Sequence, residues 1–243
     1  MKPVLIIGLL LMFQQSSFRE TQRKHSRVKT AYDEKEEIVK QYFADKKLSM
    51  DKFQLFLRAF KKEQTLEVWI KEKQKEQFSL LHTYDFCSTS GILGPKRKEG
   101  DLQIPEGFYT INHFNPLSNF YLSLGISYPN ASDKILGDKT HPGGAIYIHG
   151  NCVTIGCIPI TDDKIKELYV IAVEARNGGQ EKIPVHIFPA KLDANGFDFL
   201  RKETTNTETI RFWENLQPVY QDFESSKKLK PVKVDKFGRY TLQ

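Results

Sequence analysis

The spacing of apolar residues changes once along this 243-residue chain, and that change constrains the fold more than any other feature. Residues 31–47 carry Ile38, Val39, Tyr42 and Phe43 at helical spacing, which predicts a helix with one apolar face. Phe53, Phe56, Leu57 and Phe60 repeat that pattern and predict a second, short helix. From Leu66 the period becomes two. Leu66, Val68 and Ile70 alternate with Glu67, Trp69 and Lys71, which predicts a strand. A charged turn at 72–77 leads into 78–84, so the pair reads as a hairpin. Residues 108–112, 120–124 and 145–149 are further strand candidates, each bounded by Gly, Pro, Asn or Ser. The stretches 91–107 and 127–144 read as loops. Thr161 reads as a helix N-cap, with Asp162 and Asp163 in the first turn. Ile165, Leu168, Tyr169, Ala172 and Val173 continue at helical spacing to Gly178 and Gly179, with Arg176 on the exposed side near the C-terminal end. A strand at 185–188 closes on Pro189. Residues 199–223 read as mainly helical with a break or kink at Pro218, and 227–236 as a basic surface tail. The sum is an α+β chain, a strand-rich centre with helices at both ends. Strands and helices do not alternate regularly, which argues against a parallel doubly wound sheet.

Residues 1–17 read as an export signal: Lys2, an apolar run over 4–13, then Gln14, Gln15, Ser16 and Ser17. The run falls short of the roughly 20 residues of a membrane span. A retained N-terminal anchor is the alternative, and membrane association is expected only in that case. The formal net charge is +6, modestly basic, which suits either proximity to a polyanionic wall or an ordinary solvated surface. No clustered base-stacking motif accompanies the charge, so nucleic acid is not an expected partner.

The chemistry concentrates in Ile148-His149-Gly150-Asn151-Cys152-Val153-Thr154-Ile155-Gly156-Cys157. A thiolate is the reactive form of cysteine, and a nearby imidazole can generate it. His149 ends a predicted strand and Gly150 turns the chain away, so His149 is the candidate general base. A hydrogen-bonded structural histidine is the alternative for this residue taken alone. Cys157 is the candidate nucleophile, against the alternative of a small buried hydrophobe. The amides of Gly156 and Cys157 are candidate donors to an oxyanion. Asn151 and Thr154 are candidates for orienting main chain or ligand. His141, in Thr140-His141-Pro142-Gly143-Gly144, is a candidate for touching substrate or else a solvated loop residue. Phe120 and Tyr121 read as alternate faces of a strand. Pairing of Cys87 with Cys152 would leave Cys157 free, and the sequence leaves that pairing open. A zinc site fails on spacing, because Cys152 and Cys157 have no second ligand pair. Acyl transfer by a cysteine and a histidine needs no metal and no other cofactor.

The run His149-Gly150 … Thr154-Ile155-Gly156-Cys157 resembles the catalytic signature of the YkuD-type L,D-transpeptidase family, and is nearest its YafK-like branch, where the block reads Ser/Thr-x-Gly-Cys. Gly100-Asp101-Leu102-Gln103-Ile104-Pro105-Glu106-Gly107-Phe108-Tyr109 is similar to the family's Thr-Pro-x-Gly-x-Phe/Tyr strand entry, and Tyr128-Pro129-Asn130-Ala131-Ser132-Asp133 to the branch's Pro-Asn-x-x-Asp loop. The resemblance covers roughly 66–189. It implies Cys157 as nucleophile, His149 as base, the Gly150 carbonyl as the group that orients the base, and Gly156 beside the oxyanion site. Ile155 departs from the broader family, which has a second histidine there. The resemblance further implies an exported enzyme of the periplasm or cell envelope acting on peptidoglycan stem peptides, as a transpeptidase. The alternatives are a hydrolase of diaminopimelate-linked amides, including one that releases wall-linked protein, and an inactive peptidoglycan-binding module. The expected organisation is a signal peptide at 1–17, a helical N-terminal extension at 18–62, a catalytic domain at 63–192 with mixed sheets or a sandwich, and a C-terminal helical extension with a basic tail at 193–243.

Overall fold

The computed structural model describes residues 16–50 and 52–243. The export-signal reading falls on residues 1–15, outside the described residues, and on Ser16 and Ser17. Ser17 caps α1 (Phe18–Arg23) through its side chain, in a reciprocal capping box with Glu20. No helix among the described residues is long and apolar enough to cross a membrane.

The expected mixture of helices and strands is present, and most of the strands form one sheet. After α2 (Ser26–Asp45) come β1 (Phe53–Phe60), β2 (Thr65–Glu72), β3 (Ser79–Asp85), β4 (Gly107–Asn115), β5 (Ser123–Ile126), α3 (Ala131–Leu136), β6 (Tyr147–His149) and β7 (Ile158–Pro159). They are followed by α4 (Thr161–Asn177), β8 (Ile183–Phe188), α5 (Ala194–Glu203), α6 (Thr207–Ser226), β9 (Val232–Val234) and β10 (Tyr240–Leu242). The sheet order is β3-β2-β1-β8-β4-β5-β6-β7, antiparallel except at β1·β8 and β6·β7. The expected hairpin is β2·β3.

The short helix expected at Phe53–Phe60 is instead the interior strand β1. Leu55, Leu57 and Ala59 point into the core that α2 and α4 cover, while Phe56 packs with Trp69 and Phe223, and Phe60 with Phe188 and Trp213. A strand apolar on both faces loses its period of two, so 53, 56, 57 and 60 mimic a helical stripe. β8 is sandwiched in the same way, with Val185 and Ile187 on one side and Phe188 on the other.

α4 is the central helix of one face, buried along most of its length. The N-terminal helices bind its outer side through Arg19 to Glu174 and Lys35 to Glu167. Ile160, not Thr161, occupies its cap position and makes no side-chain cap bond, while the Thr161 hydroxyl accepts the Lys164 amide at 3.4 Å. On the opposite face, α6 runs unbroken through Pro218, which is exposed. The helical break falls at 204–206, where the Asn206 side chain accepts the amides of Glu208 and Thr209, each at 3.0 Å. The region read as loop at 127–144 contains α3, whose Asn130 and Asp133 form a reciprocal capping box. The basic tail folds back as the β9·β10 hairpin, and Tyr240 buries in the α6 cluster.

Candidate active site

β6 and β7 close the sheet at one edge, and the candidate residues lie on the turn that joins them. The strands run parallel, with Ile148 beside Ile158 and His149 beside Pro159. One residue further back, this register sets Cys157 beside Tyr147. Registered neighbours in a parallel pair share a face, as do alternate residues of a strand, so His149 and Cys157 project from the same face. Strand spacing and rise put their Cα atoms roughly 8 Å apart.

His149 is held on every side. Its carbonyl accepts the Ile160 amide at 2.9 Å, its ring stacks on Phe120 at 4.6 Å, and it is 1% exposed. Nδ1 bonds the Gly150 carbonyl. A carbonyl only accepts, so Nδ1 carries the proton and Nε2 of the neutral ring holds the free lone pair. Burial pushes the imidazole below its usual pKa, opposed by the Gly150 bond, so the ring rests neutral and basic at Nε2. Glycine is required at 150 by space: a Cβ there would meet Asp162 Oδ1 at 2.5 Å and the Phe120 carbonyl at 2.9 Å.

The turn beyond Gly150 is built from side-chain bonds to main chain. Asn151 takes the left-handed conformation at φ 60°, and its amide donates to Asp162 Oδ1 at 2.7 Å. Its own side chain accepts the Cys152 amide at 2.6 Å. Cys152 is bonded to Cys87, which leaves Cys157 as the free thiol among the three cysteines. Thr154 then closes the turn: its hydroxyl donates to the Cys157 carbonyl at 2.9 Å and accepts the amides of Gly156 at 3.2 Å and Cys157 at 2.8 Å. The two amides expected to face an oxyanion are therefore engaged by Thr154 in this structure. Gly156 has φ +134°, and a Cβ there would meet the Gln103 carbonyl at 2.9 Å, so any side chain would displace the residue before Cys157.

Cys157 Sγ lies 3.7 Å from the Ala145 carbonyl. Burial raises the thiol pKa, and the Tyr147 amide and the Lys96 charge act against it. Thiol and imidazole thus both rest uncharged. Ile155 is 77% exposed. His141 is exposed and bonds Thr140 within its own loop; it makes no hydrogen bond with His149 or Cys157.

Several contributors were not legible as such. Phe120 precedes β5 and stacks on His149 rather than occupying a strand face. Asp162 holds the turn as well as sitting at the start of α4. Lys96 and Gln103 come from the 91–107 loop, far from the motif in sequence. An acid placed next to the helix start was the only local signal among these.

With that geometry in view, comparison with known proteins gives the class. Residues 56–187 match the model of the YkuD family, the L,D-transpeptidase catalytic domain, and the chain belongs to that family. The YafK protein of Escherichia coli K12 is 38% identical over 191 residues, spanning 77% of this chain and 73% of that protein. Among solved structures, the helical cell shape determining protein Pgp2 of Campylobacter jejuni is 21% identical with a TM-score of 0.45, covering 76% of this chain and 74% of that one. Bd1075 of Bdellovibrio bacteriovorus is 22% identical with a TM-score of 0.40, covering 70% of this chain and 60% of that one.

Proposed function

We propose that this protein is an exported cysteine acyltransferase that acts on peptidoglycan stem peptides in the periplasm or cell envelope. Cys157 Sγ attacks the carbonyl of a diaminopimelate centre while His149 Nε2 takes the thiol proton. The carbon–sulfur bond forms, the amide C–N bond breaks, and the leaving amine receives the proton from His149. An acceptor amine then attacks the thioester while His149 Nε2 takes its proton; the carbon–sulfur bond breaks, and the Cys157 thiolate recovers that proton from His149. Water in place of the amine makes the same site a carboxypeptidase or a wall-protein-releasing amidase.

The tautomer of His149 carries this reading. Its Nδ1 proton is committed to the Gly150 carbonyl, so the basic nitrogen is Nε2, on the face that Cys157 shares. The depressed imidazole and raised thiol favour a neutral resting pair, with the thiolate formed by proton transfer during attack. Alkylation of free Cys157 is accordingly expected to keep rising above pH 9.0.

The test is mass spectrometry of purified muropeptides and sacculi after incubation with the protein. New cross-links, shortened stems or released protein each name a different reaction. Cys157→Ala and His149→Ala are expected to abolish it, and full activity in Cys157→Ala overturns the assignment. One observation favours an inactive binding module: the Gly156 and Cys157 amides are taken by Thr154. A carbapenem probe separates the two. An adduct on Cys157 supports the enzyme, and tight peptide binding without labelling supports the module.

A further inference from the structure

The family match begins at residue 56, after α2, yet one side chain of α2 reaches toward the imidazole of the candidate site. Arg27 stands in the first turn of α2, exposed to solvent. Its Nη1 donates to the Ser118 carbonyl at 2.6 Å and to the Tyr121 carbonyl at 2.8 Å. That nitrogen carries two protons, so both bonds are made at once. The two carbonyls bracket Asn119 and Phe120 in the connection between β4 and β5. Phe120 is the residue whose ring stacks on His149 at 4.6 Å, 29° from parallel.

The connection needs holding. Tyr121 sits at φ 71°, a conformation that a tyrosine keeps only where its surroundings impose it. From inside, the Ser118 hydroxyl accepts the Phe120 amide at 3.1 Å. From outside, the Tyr121 ring lies between two cations, Arg27 at 5.5 Å and Lys166 of α4 at 5.7 Å. Phe120 is 36% exposed and His149 only 1%, so the phenyl ring separates one face of the imidazole from solvent. The ionisable groups on the elements around the ring are Cys157, Asp162 and, beside Tyr121, Lys166. The imidazole itself is shifted by burial, which lowers its pKa, and by the Gly150 carbonyl, which raises it.

We propose that Arg27 is a positioning residue for the base: it fixes the connection between β4 and β5 so that Phe120 stays stacked on His149 and shields the ring from water. The inference rests on the reading of His149 as the general base. The N-terminal extension is then part of the catalytic unit. Without the clamp, Phe120 swings away, water reaches the imidazole, and its charged form becomes easier to make. A protonated ring has no lone pair to take the Cys157 proton, so the acid limit of activity moves to higher pH.

The test follows the His149 Cε1–H resonance of the full chain by NMR as pH is varied, assigned by its absence from His149→Ala. The starting protein should titrate below 6.5. In Arg27→Met, which keeps the stem and removes the donors, the midpoint is expected to rise toward 6.5. Phe120→Ala is expected to raise it at least as far, and Phe120→Tyr, which keeps a ring to stack, to leave it in place. Lys29→Met is the control, since Lys29 stands two residues along α2 in an ion pair with Asp33, and it should change nothing. The acid limit of muropeptide turnover should move with the midpoint in each variant. An unchanged midpoint in Arg27→Met, an equal shift in Lys29→Met, or an acid limit that stays put while the midpoint rises overturns the inference. If the Arg27→Met midpoint is unchanged while turnover still requires Cys157, the clamp fails and the proposed reaction stands. If the midpoint rises while Cys157→Ala still turns muropeptides over, the reaction fails and the clamp on His149 stands.

Discussion

Removing the Cys87–Cys152 bond tests how the turn between His149 and Cys157 is held. The bond links residues 65 apart in sequence. Closing a loop of that size in the unfolded chain removes about 4 kcal/mol of conformational freedom at 25 °C on the chain-entropy account. Cys152 is exposed and Cys87 half-buried, so replacing both by serine opens no sizeable cavity, and the entropic part should dominate the loss. Cys87→Ser with Cys152→Ser is therefore expected to lower stability by about 4 kcal/mol in urea denaturation and to lower Tm by roughly 10 °C. Wild-type protein under a reductant should fall to the same value. In the double-serine variant Cys157 is the sole thiol, so its alkylation rate reports the site directly. A loss under about 1 kcal/mol would refute the reasoning, since the Cys87 amide bond to the Pro159 carbonyl at 3.0 Å would then be holding the segment by itself.

Two further outcomes follow from the hydrogen bonds and the charges. Thr154→Val keeps the shape and removes three hydrogen bonds from one hydroxyl, at an expected cost of about 2–3 kcal/mol by chemical denaturation, with Thr154→Ser close to wild type; a cost below about 0.5 kcal/mol would mean water replaces the hydroxyl. Burial raises Asp133 from 3.8 to about 6, despite bonds from the Asn130 amide and Tyr109 and the nearby Arg97. The unfolded chain therefore ionises first as pH rises, so stability should fall between pH 3.8 and about 6 and stay level above, by about 3 kcal/mol in all. Asp133→Asn should remove that slope, as measured by denaturation at pH 4, 5, 6 and 7.

What was legible in the sequence depended on whether a signal was local. The hairpin of β2 and β3 showed its period because Leu66, Val68 and Ile70 face the core and alternate with more exposed residues. α4 showed its stripe and its glycine end. The nucleophile-type turn showed itself because His149, Gly150, Gly156 and Cys157 lie within nine residues. Readings failed where burial was two-sided, as in β1, or where a short element had no stripe, as in α3. Pro218 misled because a proline on an exposed helical face loses one backbone bond without displacing core packing.

By itself, then, the order of residues determined the class of the chain, the family, and which imidazole and which thiol share one short glycine-bounded segment, because those depend on types and spacings a few residues long. Only the tertiary structure decided the protonated nitrogen of His149, the occupation of the Gly156 and Cys157 amides by Thr154, and the approach of Gln103 to Gly156. Each of these is set by a contact between atoms whose orientation or sequence distance no local pattern encodes: a sheet register, a hydroxyl rotamer, or a loop packed against a strand edge.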